Sequence, residues 1–270
     1  PAQAKNKMKY ILLVQLPLND HGNNYVAGNI PYACAVLSAY VNLRLGDLGK
    51  AEYVPVEFSN FASNELLVNY IRCKKPDLLG FVCYLWNIER NIEIVKILQN
   101  DPSFTSTIVF GGAEITEDSV FLNTPGISFY CGEGEWFFRK YLRGEIDLSK
   151  QHFIKQPVEE QTAVEDIVEP FTSNYLNSSF DNSVFIEMTR GCPYKCVYCS
   201  YSKNLNKVRE LKPCILFNAV EKAEQRGIRE IYILSPTFDR APHFKDSLRE
   251  LAQINTLQLH TELRTDRIDP

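Results

Sequence analysis

The sequence predicts an α/β protein in which an open, doubly wound parallel sheet is followed by a second run of strand–helix units. Two observations support this fold class. Short apolar runs alternate with helical patterns through the first half of the 270 residues, and near-continuous apolar runs are typical of parallel strands buried on both faces. After a stretch without clear periodicity, the same alternation resumes at Val184.

Five candidate strands lie in the first half. They cover residues 10–16, 53–58, 78–84, 107–110 and 127–131. The first helix is predicted to begin at Asn29, with Pro31 in its first turn, where a missing N–H has no cost. Asn87 is expected to cap a later helix. The last helix of this half, over residues 135–143, should end at Gly144, because glycine readily adopts the left-handed conformation that closes helices.

The second half repeats the pattern on a smaller scale. Its predicted elements are a strand at 184–189, a helix at 213–226 closed by Gly227, a strand at 230–234, a helix at 244–254 and a strand at 257–263. Residues 145–182 lack periodicity and contain prolines and polar runs, which is typical of a connector. We therefore predict domains at 1–144 and 183–270, joined by residues 145–182.

Composition and charge exclude some classes of function. The net charge is −4 and the pI is about 5.7, and the basic residues are dispersed, so no surface for a nucleic-acid backbone is indicated. No apolar stretch is long enough to span a bilayer, and no secretory leader is recognised. These features predict a soluble, cytoplasmic protein, in which the eight cysteines would stay reduced.

Three cysteines form the most informative pattern in the chain. Cys192, Cys196 and Cys199 follow a predicted strand with the spacing C-x3-C-x2-C. Thiolates are soft ligands for iron–sulfur clusters, and three of them can hold three irons while the fourth stays open to substrate. The alternative is a zinc site, which needs a fourth ligand and has Cys214 as its nearest candidate. The cysteines outside this pattern are interpreted as packing residues: Cys34, Cys73, Cys83, Cys131 and Cys214.

With an aromatic residue, Tyr198, before the last cysteine, this segment resembles the radical S-adenosylmethionine (SAM) superfamily. The resemblance implies a partial (β/α) barrel, a 4Fe-4S cluster held by the three cysteines, and SAM on the open iron. It also implies reductive cleavage of SAM to a 5′-deoxyadenosyl radical. The backbone near Tyr198 should then lie close to adenine, and a flavodoxin- or ferredoxin-type protein should donate the electron.

Further SAM contacts are expected after the second and third barrel strands, because barrel enzymes place their chemistry at the carboxyl ends of strands. Ser235 and Thr237 follow the second strand, in the place of the family's methionine-binding segment. Glu262 and Arg264 end the third strand. The alternative for Glu262 and Arg264 is an ion pair on the barrel rim.

The strand ends of the first half carry a second resemblance. The segments 84–90, 111–114 and 132–135 look like those of cobalamin-binding radical SAM enzymes, which place a Rossmann-like cobalamin domain before the barrel. The residues expected to contact cobalamin are Leu16, Asn29, Tyr84, Trp86, Asn87, Gly111, Gly112, Glu114, Gly132, Glu133, Gly134 and Glu135. The alternative for the glycines is that they only form tight strand–helix turns.

Two features depart from the wider families. The axial-histidine motif D-x-H-x-x-G is absent, and His21 has the wrong spacing, so we interpret it as a solvated loop residue. We expect cobalamin to bind with its own base displaced and no histidine below cobalt. The chain also supplies fewer strand–helix units than a complete radical SAM barrel. We therefore expect a truncated barrel that is inactive alone.

The predicted function is a cobalamin-dependent radical SAM methyltransferase that acts on an unreactive centre. One alternative is a radical SAM enzyme that cyclises or rearranges its substrate without methyl transfer, including one that needs no cobalamin. A non-enzymatic alternative is a corrinoid-binding or zinc-stabilised module. The sequence identifies neither the substrate nor a catalytic side chain.

Overall fold

A computed structural model describes residues 7–17, 29–177, 182–199, 201, 207–254, 256–264 and 266. The chain divides into two compact units, Pro1–Thr162 and Ala163–Pro270. The division falls inside the segment 145–182 that we predicted as a connector, and the first part of that segment belongs to the first unit. No helix among the described residues is both long enough and apolar enough to cross a membrane.

The first unit contains a six-stranded sheet in which all strands are parallel. The strands are β1 (Lys9–Val14), β2 (Gly49–Tyr53), β3 (Leu78–Val82), β4 (Thr107–Gly111), β5 (Ser128–Cys131) and β6 (Phe153–Lys155). Their order is β2-β1-β3-β4-β5-β6, so the direction of winding reverses between β1 and β3. The sixth strand was not predicted, because three residues inside an irregular segment are too few to show a period.

Helices cover both faces of this sheet, as the sequence predicted. They are α1 (Tyr32–Arg44), the short α2 (Val56–Ser59), α3 (Asn64–Lys74), α4 (Ile88–Gln99) and α5 (Gly134–Leu142). Alternate residues of β1 serve different cores: Ile11 and Leu13 pack with α1 and α5, whereas Leu12 and Val14 pack with α3 and α4. This alternation follows from the two-residue period of a strand, and it makes the sheet doubly wound.

Among the predicted boundaries that differ from the structure, two lie next to a proline. The second strand ends at Tyr53 instead of spanning 53–58, because Pro55 has no N–H for the ladder and stands directly before α2. The first helix begins at Tyr32 rather than Asn29, with Pro31 at the position before it. Elsewhere Gly144 and Gly227 close their helices with φ of 76° and 67°, as predicted.

The second unit contains three parallel strands that stand side by side in chain order. These are β7 (Ser183–Ile186), β10 (Glu230–Ile233) and β11 (Gln258–Thr261), with helices α6 (Pro213–Gln225) and α7 (Phe244–Leu251) between them. Val184, Ile186, Ile231 and Ile233 share one core with both helices. A two-stranded antiparallel ribbon, β8 (Thr189–Arg190) with β9 (Arg209–Glu210), follows β7.

Candidate cofactor sites

The three cysteines lie in residues 191–199, directly after β8, which we call the cysteine loop. The β8–β9 ribbon pairs Thr189 with Glu210 and so closes its base. Within the loop the Cys199 N–H donates to the Cys196 carbonyl over 3.0 Å, which forms a tight turn. Cys192 is buried and the other two are half-buried.

The donor chemistry of this loop fits an iron–sulfur cluster, because three thiols outside any disulfide stand within one short segment. In the part of the chain that the structure describes, no three His, Cys, Asp or Glu side chains are grouped closely enough to hold a metal ion. The three sulfurs are therefore on one loop without being drawn together. Cys214, the fourth ligand of the zinc alternative, is exposed on α6. Cys73 is exposed as well, so the packing interpretation was wrong for these two cysteines.

Two side chains fix the backbone that leads into the cysteine loop. Arg190 makes a bidentate ion pair with Glu187, with Nε–Oε1 and NH2–Oε2 distances of 3.0 and 2.7 Å, and both side chains are largely buried. Ser235, at the end of β10, accepts hydrogen bonds from the N–H groups of Met188 and Thr189 over 3.2 and 2.9 Å. Ser235, predicted as a SAM contact, thus joins the ends of β10 and β7.

The tip of the cysteine loop presents apolar side chains to the outside. Val197 is fully exposed, and Tyr198 is exposed over 89% of its surface. The neighbouring Cys196 thiol raises the pKa of the Tyr198 hydroxyl. These two exposed side chains form an apolar surface on one turn of the loop.

The segment after β10 contains buried oxygens that lack partners. Among the described residues, the Thr237 hydroxyl and both carboxylate oxygens of Asp239 have no hydrogen bond. Leaving a carboxylate buried and unpaired is costly, so this arrangement favours a cationic or hydrogen-bonding ligand. Asp239 was missed by the sequence reasoning. Its only signal was its position two residues after Thr237.

The segment after β11 places Arg264 against the cysteine loop. Its guanidinium carbon lies 4.1 Å from the centroid of the Tyr194 ring. Nε and NH2 of Arg264 donate to the two carboxylate oxygens of Asp266 over 2.9 and 3.1 Å. Glu262 is exposed. The rim ion pair therefore exists, but its acid is Asp266 rather than Glu262.

In the first unit, the predicted cobalamin residues follow the carboxyl ends of β1, β3, β4 and β5. The reversal of winding between β1 and β3 is where open α/β sheets bind ligands. Asn87 joins these two ends, because its Nδ2 donates to the carbonyls of Leu16 and Val82 over 3.1 and 3.2 Å. Its Oδ1 accepts from the Tyr84 N–H over 2.9 Å. The side chain makes no cap hydrogen bond to α4, so the predicted capping role was wrong.

Asn29 acts in a similar way at the end of β1. Its Nδ2 donates to the Gln15 carbonyl over 3.2 Å and to Asn60 Oδ1 over 2.9 Å. Gln15 Nε2 donates in turn to the Ile30 carbonyl over 2.8 Å. Asn29 therefore fixes the chain before α1 and does not begin that helix. His21 lies outside the described residues.

An aromatic pair stands at the end of β3. The rings of Tyr84 and Trp86 are stacked, with centroids 4.6 Å apart and an interplanar angle of 7°. Trp86 is exposed over 50% of its surface and Leu85 over 79%. Burial raises the pKa of the Tyr84 hydroxyl to about 12. The end of β3 thus offers a partly apolar surface beside the reversal point.

The glycines after β4 and β5 have structural causes. A Cβ at Gly112, where φ is 114°, would lie 2.7 Å from the Cys83 carbonyl oxygen. The Glu114 N–H then donates to that oxygen over 3.1 Å. Gly111 pairs with Val82 in the β3–β4 ladder. These contacts match the tight-turn alternative, which does not require a ligand.

Residues 132–135 are also engaged within the first unit. Gly132 packs against Gln156, and a Cβ at Gly134 would meet Leu37 of α1 at 2.6 Å. Glu133 accepts from the Thr162 N–H over 2.7 Å, and its own N–H donates to Gln156 Oε1 over 2.6 Å. Glu135 is buried in the first turn of α5. The segment therefore holds residues 156–162 against the sheet.

Comparison with known proteins finds a family match in the second unit. Residues 186–270 match the family described as the Radical SAM superfamily, and a radical SAM domain implies a 4Fe-4S cluster and SAM. The cobalamin-dependent radical SAM methyltransferase TokK from Streptomyces tokunonensis is 23% identical over 206 residues. That match covers 66% of this chain and 30% of TokK.

Solved structures share the fold of the chain. A structure of the cobalamin-dependent SAM radical enzyme OxsB, with aqua-cobalamin and SAM bound, matches 94% of this chain and 38% of that one, with a TM-score of 0.69 and 18% identity. The radical SAM methyltransferase TsrM from Kitasatospora setae, with cobalamin and a [4Fe-4S] cluster bound, matches 94% of this chain and 54% of that one, with a TM-score of 0.64 and 15% identity. Residues 186–270 are thus similar to the Radical SAM superfamily, and the chain shares the fold of cobalamin-dependent radical SAM enzymes.

Proposed function

We propose that the chain acts in cobalamin-dependent radical SAM methyl transfer to an unreactive centre. The observation that carries this proposal is the C-x3-C-x2-C loop after β7, on a chain whose fold recurs in cobalamin-dependent enzymes. TokK and TsrM, both named methyltransferases, support the reaction class. The chain spans 30% of TokK, so the activity of the whole protein is part of the proposal.

In this proposal Cys192, Cys196 and Cys199 hold the cluster, and residues 183–270 form the opening of a partial barrel. When bound, the cluster and SAM supply the radical that activates the substrate, and cobalamin carries the methyl group. The protein's own residues bind and orient these groups. A flavodoxin- or ferredoxin-type protein would provide electrons in the cytoplasm, where thiols stay reduced.

SAM is proposed to lie along the ends of β7, β10 and β11. The residues assigned to it are the backbone at Tyr198, together with Ser235, Thr237, Glu262 and Arg264. The unpartnered oxygens of Thr237 and Asp239 support this assignment, because the N–H groups of the SAM amino group can donate to them. Ser235 would act through the backbone that it holds.

Cobalamin is proposed to lie at the reversal point of the first sheet, so that the first unit, Pro1–Thr162, would be its domain. The predicted boundary at residue 144 and the connector 145–182 are replaced, because β6 (Phe153–Lys155) belongs to that sheet. Exposed Leu85 and Trp86 fit the apolar surface of a corrin ring. The main-chain carbonyls at the β1 and β3 ends, which accept hydrogen bonds from Asn29 and Asn87, would set the shape of this edge. The glycines and glutamates of residues 111–114 and 132–135 would line the sides of the cobalamin site, in positions fixed by their packing within the first unit.

A second candidate function is radical chemistry without methyl transfer. OxsB, which matches 94% of the chain, is named a radical enzyme rather than a methyltransferase. Cyclisation or rearrangement would use the same cysteine loop and the same SAM contacts. The two candidate functions therefore differ in whether a methyl group is transferred to the substrate.

Anaerobic reconstitution of the chain with iron and sulfide tests the cluster. We expect the wild-type chain to take up both and, after reduction with dithionite, to show an electron paramagnetic resonance (EPR) signal that changes when SAM is added. Replacing Cys192, Cys196 and Cys199 together with alanine should abolish the uptake, whereas the matched control C214A should keep it. Zinc without iron in the wild-type chain would contradict the proposal.

Cobalamin binding has its own test. Cob(II)alamin added to the chain should give a protein-bound EPR signal without nitrogen superhyperfine splitting, since the proposal has the cofactor's own base displaced and no histidine in its place. A signal identical to that of free cob(II)alamin would show that the first unit does not bind this cofactor. The function would then be radical SAM chemistry without cobalamin.

A further inference from the structure

Arg264, which follows β11, contacts the cysteine loop that follows β7 on the opposite edge of the second sheet. Tyr194 stands between the first two cysteines, and the Arg264 guanidinium carbon lies 4.1 Å from its ring centroid. Cationic groups at this distance are attracted to the face of an aromatic ring, and arginine stacks on it as well. The contact therefore joins the loop to the segment after β11.

The order of the strands shows that this contact spans the width of the second sheet. The strand that leads into the loop, β7, and the strand that leads to Arg264, β11, stand on opposite edges with β10 between them. Two strand spacings separate those edges by about 10 Å. The loop must extend over the end of β10 for Tyr194 to meet Arg264. It is thus anchored at its base by the β8–β9 ribbon and at Tyr194 by β11.

Asp266 fixes the orientation of the guanidinium. Both of its carboxylate oxygens accept from Arg264, over 2.9 and 3.1 Å. A planar guanidinium can make this bidentate pair and stack on a ring at the same time, which a lysine ammonium cannot. The Arg264 and Asp266 side chains are exposed over 38% and 59% of their surfaces, so their ion pair contributes little to global stability. Its effect should be local.

We propose that Arg264 is a positioning residue that, with Asp266, clasps the cysteine loop through Tyr194 and holds the cluster cysteines over the sheet end. This role refines the SAM-site assignment of Arg264 and rests on the proposed function, because it presumes that the loop carries the cluster. The clasp reduces the ordering that cluster assembly requires. It also keeps a positive charge beside thiolates that become ligands.

Limited trypsin digestion of the full chain without cluster measures the clasp directly, because exposed Lys195 lies between Tyr194 and Cys196. Cleavage after Lys195 should be several-fold faster in R264Q and in Y194L, and intermediate in R264K. The double variant should be no faster than the faster single variant, since both remove the same contact. Arg249 forms an exposed ion pair with Asp246 inside α7, so R249Q is the matched control and should cleave at the wild-type rate.

Cleavage after Arg226, at the exposed end of α6, reports general loosening of the second unit. If R264Q accelerates the cleavages after Lys195 and Arg226 equally, the variant has loosened the whole second unit. Y194L is then the deciding variant: faster cleavage after Lys195 alone would support the clasp. If R264Q is cleaved after Lys195 at the wild-type rate, the clasp is overturned. Where R264Q is loosened throughout the second unit, a wild-type cleavage rate after Lys195 in Y194L overturns it.

Cluster uptake separates this inference from the proposed function. After reconstitution, R264Q should incorporate iron several-fold more slowly than R249Q, and R264K should recover part of the rate. Equal rates in R264Q and R249Q would overturn the clasp while leaving the cluster intact. A wild-type chain that shows the protected Lys195 bond but takes up no cluster would refute the proposed function alone.

Discussion

The side-chain amide of Asn87 donates to the main-chain carbonyl of Leu16 over 3.1 Å, across 71 residues of sequence. A second bond to the Val82 carbonyl and one from the Tyr84 N–H leave this buried side chain fully engaged between β1 and β3. The two strand ends at the reversal point of the sheet are therefore fixed to each other by one residue. The edge that we assign to cobalamin is held by the protein itself.

Replacing Asn87 with alanine should lower the free energy of unfolding by about 2–3 kcal/mol, because it leaves buried backbone groups without partners. Urea denaturation followed by circular dichroism measures this change. Asn100, exposed at the end of α4, is the matched control, and N100A should stay within about 0.5 kcal/mol of wild type. A similar loss in both variants would mean that the bridge contributes nothing specific.

The turn after β4 gives a second prediction, with a control at the same kind of backbone angle. Gly112 and Gly144 both have positive φ, 114° and 76°. A Cβ at Gly112 would meet the Cys83 backbone below 3 Å, whereas one at Gly144 would have nothing within 4 Å. G144A should cost about 1 kcal/mol, the strain of the conformation alone.

G112A should cost about 3 kcal/mol or more, since overpacking against backbone adds to the same strain. Thermal and urea unfolding of the two variants provide the comparison. Equal losses would show that the β4 turn can move away from Cys83. In that case another cause, such as the close approach of a ligand, would have to explain why position 112 is a glycine.

The parallel sheet of the first unit was predictable because its strands are continuous apolar runs. Leu78 to Val82 are all buried, and such a run leaves few alternatives. The sixth strand was not predictable, because its three residues, Phe153–Lys155, form no pattern by themselves. They are fixed by pairing with β5, a long-range contact that no local period encodes.

The candidate site divides in the same way. The cysteines could be found because the spacing of three ligands on one loop is itself local information. The partner of Arg264 could not, because Glu262 and Asp266 are equally near in sequence and only the course of the chain after β11 selects Asp266. Asn87 was predicted as a helix cap because the cap position is local, while its actual partners, Leu16 and Val82, belong to two strands.

A pH-dependent prediction concerns Asp147, which follows α5. Hydrogen bonds from Ser149 and an ion pair with Lys150 lower the pKa of this carboxyl to about 2, from a usual value of 3.8. A carboxyl with a lowered pKa stabilises the fold above its unfolded pKa, and this contribution is lost as the pH falls through the folded pKa. D147N should therefore be less stable than wild type at pH 7, with a difference that declines below about pH 4 and vanishes near pH 2.

Urea titrations between pH 2 and pH 7 measure this difference. D118N, which changes an exposed aspartate that makes no side-chain hydrogen bond among the described residues, serves as the control. A D147N difference that stays constant down to pH 2 would contradict the assigned shift.

Two buried serines of the second unit provide the last prediction, because their hydroxyls differ only in what they bond. Ser235 accepts from the N–H groups of Met188 and Thr189, at the entrance to the cysteine loop. The Ser247 hydroxyl, on α7, has no hydrogen-bond partner in the part of the chain that the structure describes. S235A should lower the free energy of unfolding by about 1–3 kcal/mol, because two backbone donors lose their acceptor. S247A should be close to neutral.

Unfolding curves and iron uptake, measured together, check these expectations. S235A should also take up its cluster more slowly, since Met188 and Thr189 lead directly to Cys192. An S235A chain that matches S247A in stability and in uptake would show that the end of β10 does not position the loop.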